Sequence, residues 1–323
     1  METERRRIAM PDGRSIEVLI AGPPDGLPLV LHEGTPVGLV LYPPTVQAAA
    51  ERGLRTILTA RPGYEASTPR PGRRVVDVAA DVATVLDELG ADTFVTLGWS
   101  GGGPHTLACA AALPGRCLAA ASIAGVAPYT ARGLDWPAGM GPENVEEFAA
   151  AIAGEAKLTE FLDSAAVTFS ALTGASVAES LGGLVIEADK AALTGEYADY
   201  IANALRASLN SGIAGWRDDD LAFTKDWGFS LGWDAPAPAP TATPAAAPAD
   251  TPASYPRGTP AAPVAIWQGD QDQMVPYAHG QWLAANIPGA RVHLMPGEGH
   301  LSLTVSSFGL ILDDLLDLAG LTA

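Results

Sequence analysis

The chain has 323 residues, 48% of them hydrophobic, which suffices for one large core or for a core with an inserted cap. It carries 19 basic against 37 acidic residues, a formal charge of −18, so repulsion argues against nucleic acid and anionic membrane surfaces as partners. No signal peptide is visible and no apolar run approaches transmembrane length, so the expectation is a cytoplasmic protein that is not held at a membrane.

Residues 5–10 and 14–21 flank Pro11-Asp12-Gly13, a hairpin signal. Leu29-Val-Leu31 is a short apolar strand that runs into Glu33-Gly-Thr-Pro36, and a helix is expected over about 44–53. Arg55 to Ala60 reads as another strand, ending in the turn composition Arg61-Pro-Gly-Tyr64. Val75, Val78, Val82, Val85, Leu86 and Leu89 recur at helical spacing until Gly90, which leaves Asp77, Asp81 and Asp87 as a solvated face. A strand over 93–98, a helix over 104–113 and a strand over 117–124 follow. Cys109 and Cys117 in this unit read as small buried apolar residues, neither a disulfide framework nor a metal site. Strands alternating with helices predict an α/β fold, a mostly parallel sheet with helices on both faces.

After about Pro128 the alternation stops, and residues 142–232 read as helical. A strand pattern resumes at Val264-Ala-Ile-Trp267, followed by a helix over about 277–286, a last strand over Arg291–Met295 and an amphipathic helix over 303–319. The helical block is therefore expected as a cap inserted between two sheet strands. The expected division is a core of 1–128 and 263–323, a helical cap of 129–234, and an Ala/Pro-rich flexible insertion of 235–262, which lacks the large apolar side chains of a core.

The chemistry centres on Phe94-Val-Thr-Leu-Gly-Trp-Ser-Gly-Gly-Gly-Pro-His105. Ser100 stands between Gly98 and Gly102 where an apolar strand turns into a helix. Small flanking residues permit a turn sharp enough to expose the hydroxyl above the sheet, and the helix N-terminus behind it favours a developing anion. A serine nucleophile needs a base, and the base needs a carboxylate to fix its tautomer. Of five histidines, His293 reads as a packing residue within a strand and His279 as an exposed helical residue. His105 is expected to point away from Ser100, and His32 competes weakly from a strand end. His300, in Gly297-Glu-Gly-His300 after the last strand, is the expected base. The acid is Asp270 or Asp272. Asp272 is preferred because Met274-Val-Pro276 after it anchors the loop over the sheet edge, while Asp270 reads as a turn residue. The N–H groups of Gly101 and Thr35 are the expected oxyanion donors.

With Gly34-Thr-Pro36, Arg61-Pro-Gly-Tyr64, Gly98-Trp-Ser-Gly-Gly102, Gly269-x-x-Asp272-x-x-Val-Pro276 and Gly297-Glu-Gly-His300 in place, the chain resembles the α/β-hydrolase superfamily in its serine-hydrolase branch. The resemblance covers about 15–128 and 263–319. It favours Asp272, three residues after the strand-end glycine, and implies a helical cap, a small-molecule substrate and no cofactor or metal. The chain departs from the family in carrying Glu33 where histidine is usual, Glu65 where glycine is frequent, and the Ala/Pro insertion. Glu33 and Trp99 are the expected substrate-pocket residues, with cap aromatics around them.

The function expected is hydrolysis of an ester, amide or related acyl bond through an acyl-enzyme. Rivals are cleavage of the proline iminopeptidase type, in which Glu33 or cap acids such as Glu146 and Glu147 meet a substrate amine, lactone or carbon–carbon bond hydrolysis, and cofactor-free perhydrolysis. A different class is a small-molecule receptor of the same fold with little turnover. A scaffold role would rest on the proline-rich stretch alone.

Overall fold

The computed structural model describes residues 3–232 and 262–321; the Ala/Pro-rich segment lies, but for Ala262, outside the described residues. Among these residues the strands β1 (Thr3–Ala9), β2 (Ser15–Ala21), β3 (Leu27–His32), β4 (Leu54–Thr59), β5 (Phe94–Trp99), β6 (Cys117–Ile123), β7 (Val264–Gly269) and β8 (Arg291–Met295) form one sheet in the order β1-β2-β4-β3-β5-β6-β7-β8. The β1–β2 hairpin turns at the expected Asp-Gly and pairs antiparallel, as does β2 with β4; every later pair is parallel.

The alternation of side chains divides the core between two faces. Val30, Ile57, Ala120 and Ile266 pack on one side with α2 (Val78–Glu88), α3 (Gly102–Ala112) and α10 (Tyr277–Asn286). Leu29, Leu31, Leu58, Val95 and Ala265 pack on the other with α1 (Pro43–Ala50) and α11 (Ser302–Leu318). The helical period read over 75–89 is buried at Val78, Val82, Val85 and Leu86. Each such side chain contributes about 1.5–3 kcal/mol when removed from water.

Two expectations about polar residues are corrected. Asp81 is not on a solvated face: it is 6% exposed and accepts a two-pronged hydrogen bond from Arg14 at 2.6 and 3.1 Å. His279 is buried rather than exposed, because the chain after β6 folds over α10. Its Nδ1 accepts from Ala127 N at 3.1 Å and its Nε2 donates to Trp136 O at 2.8 Å. His293 is a packing residue, its ring stacked 3.8 Å from Trp267.

Between β6 and β7 the chain forms α4 (Pro142–Ala153), α5 (Glu155–Ser170), α6 (Val177–Ser180), α7 (Glu187–Ala192), α8 (Gly195–Ala207) and α9 (Ala214–Phe223). These helices lie over the edge where the parallel strands end. Register pairs His32 with Gly98 and Gly269 with Met295, so the loops after β3, β5, β7 and β8 meet at that edge. Open parallel sheets bind ligands at such an edge.

Candidate active site

Ser100 follows β5 with φ +56°, a left-handed conformation unusual for a residue with a Cβ. The turn is locked on both sides. Ser100 N donates to Ile123 O at 2.8 Å, and Gly103 N donates to Ser100 O at 2.9 Å. The chain is tight enough that a side chain on Gly102 would run into the carbonyl oxygens of His32 and Glu33, which accounts for glycine there. Strain of this kind is stored where the surrounding structure over-determines it.

The structure brings His300 and Asp272 together. His300 Nδ1 lies 2.8 Å from Asp272 Oδ2, with both side chains buried. A carboxylate only accepts, so the hydrogen sits on Nδ1 and the lone pair of the neutral ring on Nε2. That Nε2 is buried and has no hydrogen-bond partner among the described residues. Asp272 also accepts from Met274 N at 2.9 Å, Val275 N at 2.8 Å and Gln268 Nε2 at 3.1 Å, so its orientation is fixed by the Met-Val-Pro loop. Asp270 instead accepts from Gly297 N at 2.8 Å, tying two loops together on the surface. His105 is turned away, its Nδ1 2.9 Å from Gly101 O. His32 is buried, with Nε2 3.6 Å from Cys109 Sγ. Cys109 and Cys117 are free and buried.

Ser100 and His300 line one cavity of about 270 Å³ together with Thr35 and Trp99. A Cβ placed on Gly101 would lie 3.1 Å from Thr35 N, so the two expected oxyanion donors are adjacent. The Trp99 ring lies 5.2 Å from that of His300, and its Nε1 donates to His300 O at 3.2 Å. The far wall comes from the inserted helices: Phe161, Phe169, Leu181, Leu184 and Trp216, with Glu143, Asn144 and Glu147 on α4. Of the other aromatics in the inserted helices, Phe148 packs edge-on against Trp136, and Tyr197 and Tyr200 face a separate cavity. Glu146 is exposed.

Glu33, expected in the substrate pocket, is not on this cavity. Arg61 Nη1 donates to its carbonyl at 2.7 Å, while its carboxylate turns to the other side of Trp99 and accepts from Tyr200 OH at 3.4 Å. A carboxylate facing the expected oxyanion donors is thereby avoided.

Two carboxylates that sequence reading did not single out hold the site from above. Asp219 on α9 is fully buried and accepts from Arg61 Nη2 at 2.6 Å, Arg73 Nη2 at 2.6 Å, Tyr64 OH at 2.9 Å and Thr35 Oγ1 at 2.9 Å. Burial opposes its ionisation, but the guanidiniums of Arg61 and Arg73 outweigh burial and hold the carboxyl well below the usual range. Arg61 Nη2 also donates to Gly34 O at 2.9 Å, so one ion pair fixes the whole Glu33–Thr35 loop. Asp189 on α7 accepts from His300 N at 3.3 Å, Leu301 N at 2.8 Å and Ser302 N at 2.9 Å, satisfying the open amides at the start of α11. The available signal was the acidic run Asp218-Asp-Asp220 set against two arginines near Tyr64, a pairing visible only once the chain is folded.

Among the described residues no group of three or more His, Cys, Asp or Glu side chains is placed to hold a metal ion, and no helix is long and apolar enough to cross a membrane.

A mostly parallel sheet covered on both faces, with a strained serine at a strand-to-helix turn and a buried His–Asp pair at the same edge, defines a known class of enzyme fold. The chain belongs to the α/β-hydrolase fold family, whose model matches residues 28–306. A non-heme chloroperoxidase from Streptomyces lividans is 34% identical over 144 residues, which is 44% of this chain and 52% of that protein; the match thus spans about half of that relative's length. Among solved structures, a hydrolase from Pseudomonas aeruginosa PA01 superposes with a TM-score of 0.64 at 20% identity, covering 97% of this chain and 98% of that one. The esterase RhEst1 from Rhodococcus sp. ECU1013 gives 0.60 at 19%, covering 98% and 99%. A bromoperoxidase from Bacillus anthracis gives 0.62 at 20%, covering 97% and 100%. At these identities the structural likeness concerns the fold.

Proposed function

We propose that the protein is a serine hydrolase of carboxylic esters that works through an acyl-enzyme. The observation that carries this reading is the buried His300–Asp272 pair: His300 lines the same cavity as Ser100, and its Nε2 has no partner among the described residues. His300 Nε2 takes the Ser100 proton as Oγ attacks the substrate carbonyl. Asp272 holds the ring's tautomer and stabilises the imidazolium. The N–H groups of Thr35 and Gly101 bind the oxyanion, an interaction worth about 10²–10³ in rate per donor. His300 then protonates the leaving alcohol, and a water activated by the same ring releases the acid and restores Ser100. The helices over 142–223 act as a cap, and Phe161, Phe169 and Trp216 favour an apolar acyl or alkoxy group of modest size.

A second reading rests on α4. Glu143 Oε2 is buried without a partner on the cavity wall, and an amine-bearing substrate of the iminopeptidase type would satisfy it. Burial raises neighbouring Glu147 and Asp220 above the usual carboxylate range, and the charge of Glu147 raises Asp220 further, so that pair retains a proton. The haloperoxidase names among the relatives suggest a further variation, in which hydrogen peroxide replaces water as acyl acceptor and the product is a peracid.

The test is turnover of short and medium acyl esters, a lactone and amino-acid anilides, with water or peroxide as acceptor, by the wild type and by Ser100→Ala. Ester turnover lost in Ser100→Ala supports the main reading. Preferential anilide cleavage that falls in Glu143→Gln supports the second. Ester turnover retained by Ser100→Ala contradicts both, and absence of all turnover directs attention to a receptor role.

A further inference from the structure

Behind Trp99, on the side away from Ser100, lies a second cavity of about 70 Å³. Trp99 and Ile201 form the wall between it and the cavity of Ser100. Its lining is unusual for an accidental void. Tyr42, Tyr197, Tyr200, Trp99 and Phe308 contribute aromatic rings, and Glu33 contributes the one carboxylate. The rings are organised: Tyr42 lies 4.9 Å from Tyr200 and 5.4 Å from Tyr197. The Glu33 carboxylate receives one long hydrogen bond, from Tyr200 OH at 3.4 Å, and among the described residues it has no Lys or Arg in an ion pair. Arg61, the cation nearest in the network, is committed to Asp219 and to the Glu33 carbonyl. Val305, one of its lining residues, is 48% exposed.

An uncompensated carboxylate among aromatic faces lacks a positive charge. Ring quadrupoles and the carboxylate attract the same ligand, and a weakly hydrated organic cation gives up the least on leaving water. We propose that this cavity is a binding site for a small alkylammonium group, distinct from the cavity of Ser100 and separated from it by the Trp99 indole. Tyr42 and Tyr200 face the ammonium methyls or methylenes, and Glu33 neutralises its charge. A neutral ligand of the same shape leaves Glu33 uncompensated and binds less well. Occupancy bears on the other site through Trp99, whose ring lies against His300.

Burial pushes the Glu33 carboxyl up to about 7, so it is largely ionised at about pH 8 and binding weakens as pH falls below that value. The other titratable groups around it hold fixed charge over this range. Burial pushes Tyr42, Tyr197 and Tyr200 above their usual values and His32 down to about 3, and Arg61 stays cationic beside Asp219.

The experiment is calorimetric titration of the full chain at about pH 8 with choline chloride and with 3,3-dimethyl-1-butanol, its neutral isostere. The expected result is choline binding about tenfold tighter than the alcohol, with that preference lost in Glu33→Gln and retained in Glu143→Gln. Choline binding is expected to weaken in Tyr42→Leu. Equal affinity for the two probes in the wild type overturns the proposal without recourse to any variant, and so does an absence of choline binding. Loss of choline binding in Glu143→Gln with full retention in Glu33→Gln also overturns it, because the cation then sits in the cavity of Ser100. Thermal unfolding of each variant checks that it is folded.

Discussion

Thr35 donates its hydroxyl to Asp219 Oδ2 at 2.9 Å, joining a loop after the third strand to a helix 184 positions further on. The same oxygen accepts from Arg61 Nη2 at 2.6 Å, and Arg61 in turn binds the carbonyls of Glu33 and Gly34. The inserted helices therefore do more than cover a pocket: one of their carboxylates sets the position of a proposed oxyanion donor. Asp219→Asn leaves Arg61 and Arg73 buried without an anion. The expected loss is about 3–5 kcal/mol in denaturant unfolding, with kcat falling further than KM rises. An unchanged unfolding midpoint contradicts this role.

Asp189→Ala removes the acceptor of three amides at the start of α11, including that of His300. A loss of about 1–2 kcal/mol is expected, with a lower kcat because the His300 ring is no longer held. Asp189→Asn keeps an acceptor oxygen and is expected to recover most of the activity. Equal kcat in Asp189→Ala and the wild type contradicts a positioning role.

Asp272→Asn retains the shape of the acid but lets its amide face His300 Nδ1, which disfavours the tautomer that leaves the lone pair on Nε2. The expected fall in kcat on an ester substrate is about 10⁴, with KM little changed. Asp270→Asn, at the surface tie to Gly297, is expected to retain kcat within about threefold. The reverse ranking of the two variants would reassign the acid.

Three buried histidines, His32, His105 and His279, oppose folding in acid, because burial holds each below its usual value. Burial lowers His32 to about 3 and His279 to about 4, while both titrate near 6.5 in the unfolded chain. Below pH about 6.5 the unfolded histidines bind protons that the folded ones do not, so their contribution to stability falls as pH falls. Each group contributes a slope of up to about 1.4 kcal/mol per pH unit until its folded value is reached. Asp219 acts in the same direction but only below about pH 4, where the unfolded carboxylate begins to protonate and the folded one does not. The raised carboxyls of Glu33, Glu147 and Asp220 act in the opposite direction below pH about 7, so the histidine contribution is read as a difference: in urea unfolding, the stability of the wild type relative to His279→Gln is expected to fall as pH falls below about 6.5. A difference between the two proteins that stays constant from pH 7 to 4 contradicts the burial of His279 as a neutral group.

The strands and most helices were legible because short apolar runs stand out at Leu29–Leu31 and Val264–Trp267 and a period of 3.6 over Val75–Leu89, with Gly90 and Asp12-Gly13 as punctuation. That Ser100, Asp272 and His300 meet at one sheet edge was legible because each follows a strand end, where local composition is constrained by a turn. Asp219 and Asp189 were not legible, since each acts on residues more than 100 positions away. The burial of Asp81 and His279 escaped for the same reason: their partners, Arg14 and Trp136, are brought to them by tertiary packing. Glu33 was placed at the right loop but on the wrong side, because whether a loop carboxylate faces Ser100 or Tyr200 depends on where Arg61 holds its backbone.

The central claim, that Ser100 is an activated nucleophile, is tested most directly by a fluorophosphonate probe followed by peptide mass spectrometry. The account predicts one phosphonyl adduct per chain, located on Ser100, absent in Ser100→Ala and strongly slowed in His300→Ala. An unlabelled wild type, or an adduct on another serine that persists in Ser100→Ala, would contradict it.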